Sequence, residues 1–241
     1  MVFAPLRLFA SHGRVEGILW GAKPALPDAS LVWEGPMPAH NPEHILILGI
    51  GNVLWADEGF GVRCVEALAD SHALPSHVRL LDGGTQGLYL LPFLEEADAL
   101  IVFDAVDYGL APGTLKIVEG DEVPAFLGAK KMSLHQTGFQ EVIATAQLMG
   151  RCPPRMVLIG CQPAELEDYG GGLRDVVAAR IPDAIAVALG RLAEWGAEAR
   201  PGATEGELAD RAIRRDAYET GRPDESLACR IGDARFFPAA G

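Results

Sequence analysis

Cysteine is scarce in this chain of 241 residues: four are present, at 64, 152, 161 and 229. They show neither C-x-x-C spacing nor the density of a disulfide scaffold, so a stapled secreted domain is excluded and a reducing cytoplasm is the expected location. Basic residues are also few, 20 Lys and Arg against 33 Asp and Glu, for a net charge of −13. A nucleic-acid partner needs clustered cations on one face. The two basic pairs, Lys130-Lys131 and Arg214-Arg215, read most simply as solvated surface. Long apolar runs are missing as well. The first residues, Met-Val-Phe-Ala-Pro-Leu-Arg-Leu-Phe-Ala, lack the charged start and sustained apolar stretch of an export signal, and no later run approaches a membrane span. The expectation is a soluble, unexported protein.

Apolar residues make up 49% of the chain, enough for a sizeable core. Residues 1–43 contain Pro24, Pro27, Pro36, Pro38 and Pro42 among scattered glycines and no sustained period, which predicts a loosely ordered extension. A position upstream of the biological start is one reading of it. Beyond 197 the segment starting Glu198-Ala-Arg-Pro-Gly is polar and turn-rich, so 198–241 is expected to be a tail, with Leu208 to Tyr218 able to form one short helix. Residues 44–197 remain as the folded unit. Within it, apolar runs at 44–50, 78–82, 99–104, 114–118 and 156–161 alternate with helical patterns near 59–70, 87–97, 137–149 and 173–195, the last bent at Pro182. That alternation predicts an α/β fold with a mostly parallel sheet and helices on both faces. The run Ala99-Leu-Ile-Val-Phe-Asp104 has no polar residue before its end, as a central strand covered on both sides requires.

Gly49-x-Gly51 after the first apolar run resembles the start of a dinucleotide fingerprint, but position 54, where the third glycine belongs, is Leu54. A nucleotide-binding module is therefore a weak alternative. In open α/β sheets the working site lies beyond the carboxyl ends of the strands, which singles out Glu58, Asp104 and His135. Asp57 is placed to cap a helix starting near Gly59, with Glu58 in its first turn, where the helix dipole favours a carboxylate whether or not it has another role. Asp104 ends the most apolar strand, where an ionised group needs a partner; backbone N–H groups of the next loop are the simplest, a cation the more consequential. His135 lies at or just before a helix start capped by Ser133 or Thr137, so its ring is favoured neutral and able to ligate a metal, although a lone histidine is more often an ordinary surface or core residue. Together the three make an N/O ligand set with open positions, suited to zinc, iron or nickel. No G-x-S-x-G elbow, no H-E-x-x-H and no activated cysteine is present; Cys64 and Cys161 read as core residues.

Six segments occur in order: Gly49-Ile-Gly-Asn-Val-Leu-Trp-Ala-Asp-Glu-Gly-Phe-Gly-Val-Arg63, Asp82-Gly-Gly-Thr-Gln-Gly-Leu88, Phe103-Asp-Ala-Val-Asp107, Pro112-Gly-Thr114, Lys131-Met-Ser-Leu-His-Gln-Thr-Gly138 and Ile159-Gly-Cys-Gln-Pro-Ala-Glu-Leu-Glu-Asp-Tyr-Gly170. In these segments the chain resembles the maturation endopeptidases of NiFe hydrogenases, in wording most like those serving membrane-bound uptake hydrogenases. The resemblance covers about 44–197 and implies a three-layer α/β/α sandwich, phosphorylase/hydrolase-like. It implies a hydrolase that removes a short C-terminal extension from the hydrogenase large-subunit precursor after nickel insertion, without a Ser or Cys nucleophile. It further implies that Glu58, Asp104 and His135 are the nickel-contacting, catalytic residues and that Asp82, Gly83, Gly84 and Thr85 recognise the substrate. The nickel is expected to come with the precursor, which is the implied partner. A noncatalytic nickel-binding maturation chaperone is the other alternative. Neither extension belongs to the resemblance, and no function is carried onto them.

Overall fold

The computed structural model describes residues 41–124 and 134–204 together with 208, 214, 215 and 218; for 134–137 it describes the backbone alone. Five strands form the main sheet: β1 (Ile45–Ile50), β3 (Val78–Gly84), β4 (Ala99–Ala105), β5 (Leu115–Glu119) and β6 (Arg155–Cys161), in the order β3-β1-β4-β6-β5. All neighbours are parallel except β5, which runs antiparallel to β6. The expected strands are all present, and β1, β4 and β6 are buried along nearly their whole length, which is why they read as unbroken apolar runs.

Alternation along β1 divides the core in two. Ile45 and Ile47 face one side, where they join Phe60, Cys64, Val65 and Leu68 of helix α1 (Phe60–Ser71) and Ile181, Ile185 and Leu192 of helix α5 (Ile181–Glu194). Leu46, Leu48 and Ile50 face the other, against Leu94 of helix α2 (Leu91–Glu95) and Phe139, Val142 and Ile143 of helix α3 (Leu134–Leu148). Each fully buried aliphatic side chain contributes about 1.5–3 kcal/mol, so a sheet covered on both faces is the arrangement that uses both apolar sets. The expected three-layer α/β/α sandwich is the observed one.

Three local expectations are corrected. The stretch 173–195 is not one bent helix: α4 (Asp175–Ala178) stops, and α5 begins at Ile181 with Pro182 in its first turn, where the missing N–H leaves no helical bond unmade. The stretch 87–97 is a 3₁₀ turn, Gly87–Leu90, followed by the short α2. The packed chain also continues past 197. Strand β7 (Arg200–Pro201) pairs antiparallel with β2 (His72–Ala73), and Thr204 donates its hydroxyl to the His72 carbonyl (2.6 Å) and its N–H to the Ala69 carbonyl (2.7 Å). Farther on, Arg214 forms a two-pronged pair with Asp70 at 2.9 and 2.6 Å, and the Tyr218 ring lies 5.9 Å from the Arg63 guanidinium carbon. Residues 1–40, Lys130-Lys131, Cys229 and most of the 208–218 helix expected from the sequence lie outside the described residues. Among the described residues no helix is long and apolar enough to cross a membrane.

Candidate active site

Glu58 is not in the first turn of a helix capped by Asp57. It lies half-buried in a 3₁₀ turn, Ala56–Gly59, that precedes α1, and α1 receives no side-chain cap. Two glycines bring this turn onto the sheet. A Cβ on Gly51, whose φ is +138°, would collide with the Glu58 carbonyl oxygen; one on Gly61 would collide with the carbonyl oxygens of Ile50 and Phe103. The close approach seats the start of α1 and its preceding turn on the carboxyl ends of β1 and β4, and the turn packs against β4. A Cβ on Gly49 would likewise meet the Gly61 carbonyl oxygen, so packing accounts for both glycines of Gly49-x-Gly51.

Asp104 stands at that same end of β4, 1% exposed, in register with Gly160 of β6. Tyr108 folds back over Gly160 so closely that a Cβ there would meet its hydroxyl, and Lys116 sits 5.0 Å from the centre of its ring. Burial, and after it the charge of Asp104, push the Tyr108 phenol well above the usual tyrosine range, so it remains protonated. The loop after Asp104 is fixed by Gln162, 6% exposed. Its Oε1 accepts the N–H groups of Tyr108 (2.7 Å) and Leu110 (3.1 Å), and its Nε2 donates to Asp107 (3.0 Å).

Asp82 ends the run Val78–Asp82 in β3, in register with Gly49. Burial pushes its carboxyl up to about 6; the Gly84 N–H pulls the other way, Glu66 raises it further and Arg63 lowers it. Its Oδ1 is buried with no hydrogen-bond partner among the described residues. Gly83 is buried, Gly84 half-buried with φ +43°, and Thr85 exposed, so this segment turns from sheet to surface within four residues. The turn that follows meets α3 where Gly87 and Gly138 approach backbone to backbone. Since α3 begins at Leu134, His135 is its second residue and belongs to the turn of helix next to that contact. Thr137 is inside the helix and is not its cap; Ser133 and the His135 side chain lie outside the described residues.

The backbone thus gathers the Glu58 turn and Asp104 at one point, and sets the Asp82–Thr85 segment beside the start of the helix that carries His135. Among the described residues no group of three or more His, Cys, Asp or Glu side chains forms a metal cage. The cysteines offer no activated sulfur. Cys64 and Cys161 are fully buried, and burial raises both thiols, Cys161 to about 12 with Asp57 adding to the shift and Arg180 lowering it.

Two residues that fix the loops of this region were not singled out by the sequence. Gln162 follows the last residue of β6, where the rule of polar residues at carboxyl ends would have found it. Asp57 was read as a helix cap, whereas its carboxylate bonds to backbone more than 100 residues away.

Comparison with known proteins places this geometry. The sequence-family model described as HycI, hydrogenase maturation protease, matches residues 62–191. The hydrogenase expression/formation protein HupD of Rhodobacter capsulatus is 71% identical over 205 residues, covering 85% of this chain and 98% of that protein. The hydrogenase 2 maturation protease of Escherichia coli is 44% identical over 158 residues, covering 65% of this chain and 95% of it. Among solved structures, the E. coli hydrogenase maturating endopeptidase HybD superposes with a TM-score of 0.62 at 42% identity, over 66% of this chain and 97% of that one. With a sandwich whose loops converge beyond the strand ends and a relative matched over nearly its full length, the chain belongs to the hydrogenase maturation protease family, and it is an endopeptidase.

Proposed function

We propose that this protease removes the short C-terminal extension of a NiFe-hydrogenase large-subunit precursor after nickel has been inserted. The observation that carries this reading is the seating of the Glu58 turn against the strand end that bears Asp104, which gathers two oxygen donors at the crevice. In this reading Glu58, Asp104 and His135 contact nickel that belongs to the precursor, and Asp82, Gly83, Gly84 and Thr85 hold the precursor chain. Two carboxylates and one imidazole leave coordination positions open, as a metal already partly ligated by its own protein requires. The buried Asp82 Oδ1 is an acceptor available to a backbone N–H of the bound segment, and the glycines beside it let that backbone come close.

The chemistry needs no thiol or serine. A divalent metal in the substrate supplies Lewis acidity at the scissile carbonyl or an activated water. The protein's own part is to place carboxylates at a crevice end that its folded loops partly shield from solvent, while the protonated Tyr108 and the Gln162-pinned loop keep the surroundings of Asp104 fixed. The partner in this reading is the precursor; the net charge of −13 disfavours nucleic acid.

Mass spectrometry of nickel-loaded precursor incubated with the protein tests the reading. The expected result is a precursor shortened by its C-terminal extension. An unchanged mass, with the two proteins bound to one another, would make it a chaperone instead.

A further inference from the structure

The turn carrying Glu58 holds a strained conformation: Ala56 has φ +38°, the one positive value at a non-glycine position among the described residues. Such a turn persists only where its surroundings over-determine it. No side chain of the turn caps helix α1. Beside its seating on the sheet, the turn is braced by Asp57, 0% exposed, whose Oδ2 accepts the N–H groups of Ala164 (2.8 Å) and Glu165 (2.9 Å) while Oδ1 accepts that of Arg174 (2.7 Å). Three backbone donors satisfy a buried carboxylate, and they do so across sequence separations of 107 to 117 residues. Both ends of the 163–174 loop are thereby tied to one side chain. The same two segments are joined further by the Asp57 N–H to the Glu165 carbonyl (3.1 Å), by the Gly170 N–H to the Leu54 carbonyl (2.7 Å), and by Trp55 and Tyr169 in edge contact with ring centres 5.1 Å apart.

We propose that Asp57 is a positioning residue of the protease: by fastening the 163–174 loop behind the Ala56–Gly59 turn, it holds Glu58 against the strand end that carries Asp104. The inference rests on the function proposed above. Asp57 acts through its neighbour. Its carboxylate is 0% exposed and held by three backbone N–H groups, so it does not meet the precursor. A cap would serve its own helix; this side chain serves a loop that starts after β6 and ends at α4.

Two substitutions test it, assayed on nickel-loaded precursor with the full chain. Asp57→Asn keeps the volume but turns an N–H donor toward a backbone donor, so at least one of the three bonds is lost. With near-ultraviolet circular dichroism unchanged at the assay temperature, kcat should fall on the order of 100-fold while KM stays within about threefold, the signature of misplaced chemistry rather than lost binding. The second test does not depend on that variant folding. Arg174 has φ −67° and ψ 145°, a conformation proline adopts, so Arg174→Pro deletes the N–H bound by Asp57 without backbone strain at that position. Arg174→Ala keeps the N–H but, like the proline variant, loses the ion pair with Asp168 (2.8 Å). The proline variant should have a kcat on the order of tenfold below the alanine variant.

Equal kcat in the two Arg174 variants, or Asp57→Asn at wild-type kcat, would overturn the inference. So would a raised KM at unchanged kcat, which would make the loop a precursor-binding surface. Wild-type protein run alongside separates the two levels: a precursor left intact by wild type overturns the functional reading and this inference with it, whereas normal wild-type cleavage with unimpaired variants overturns the positioning role alone.

Discussion

Asp57 and Glu58 are adjacent carboxylates with different surroundings, one buried and saturated by three backbone N–H groups, the other half-buried at the crevice. Removing a ligand differs from removing core volume, so Glu58→Gln, Asp104→Asn and His135→Ala should each reduce processing at least on the order of 100-fold while far-ultraviolet circular dichroism stays that of wild type. Undiminished cleavage in any two of them would withdraw the metal-contact assignment. Cys64→Ala and Cys161→Ala should keep cleaving where folded, because both thiols are buried and protonated. Asp82 makes a separate claim about pH. Its folded value of about 6 lies above the usual carboxylate value near 4, so the native chain binds this proton more tightly than the unfolded one. The stabilising contribution is complete below about pH 4 and is lost as pH rises through about 6. Asp82→Asn should therefore gain stability relative to wild type between pH 4.5 and 7.5, on the order of 1 kcal/mol after screening at this partly exposed position, and yet process precursor poorly. Urea unfolding at the two pH values gives the difference; one that does not change with pH would contradict it. The places of Glu58 and Asp104 at or beyond strand ends were legible in the sequence, whereas Asp82 came only with the family resemblance. Asp57's role was not legible, since its donors belong to residues 164, 165 and 174 and no local spacing announces a bond across the fold.

At the scale of elements, strands read more truly than helices. The apolar runs of β1, β4 and β6 exist because those strands are covered on both faces, a property that sequence carries directly. Helix boundaries depended on details that periodicity averages over. Val177, Ile181, Ile185, Ala188 and Leu192 keep one period across 173–195, although the helix is broken between Ala178 and Ile181. The β2–β7 pair was illegible because each strand is two residues long and its partner lies over 100 positions away. It gives the segment after 197 a structural part. A chain ending at 197 loses this pair, the Gly202 N–H to the Ser71 carbonyl and both bonds of Thr204, and should be destabilised by about 1–3 kcal/mol. A chain ending at 204 should recover most of that, because the Arg214–Asp70 pair is partly exposed and contributes about 1 kcal/mol or less. Chemical denaturation of the two truncations beside the full chain measures it; equal stability of the shorter chain and the full one would contradict it.

At the scale of the molecule, a two-sided core fixes five strands in one sheet, and the loops beyond their carboxyl ends then fall together whatever their separation in sequence. That is how residues 58 and 104 come to one crevice and how the turn following 82–85 meets the first turns of the helix that includes 135. The fold was recoverable from alternation alone; the family was recoverable only from several short motifs taken together, because any single Asp, Glu or His at a strand end has an ordinary structural explanation. The central claim is that metal enters this reaction with the substrate. Matched samples of precursor, one nickel-loaded and one nickel-free, should be incubated with protease that has been stripped with a chelator and freed of it, and the precursor mass followed over time. The expected result is that stripped and untreated protease shorten nickel-loaded precursor at the same rate and leave nickel-free precursor intact. Efficient cutting of nickel-free precursor, or activity lost on stripping and restored by added zinc, would contradict the claim and make the protein a metallopeptidase with a metal of its own.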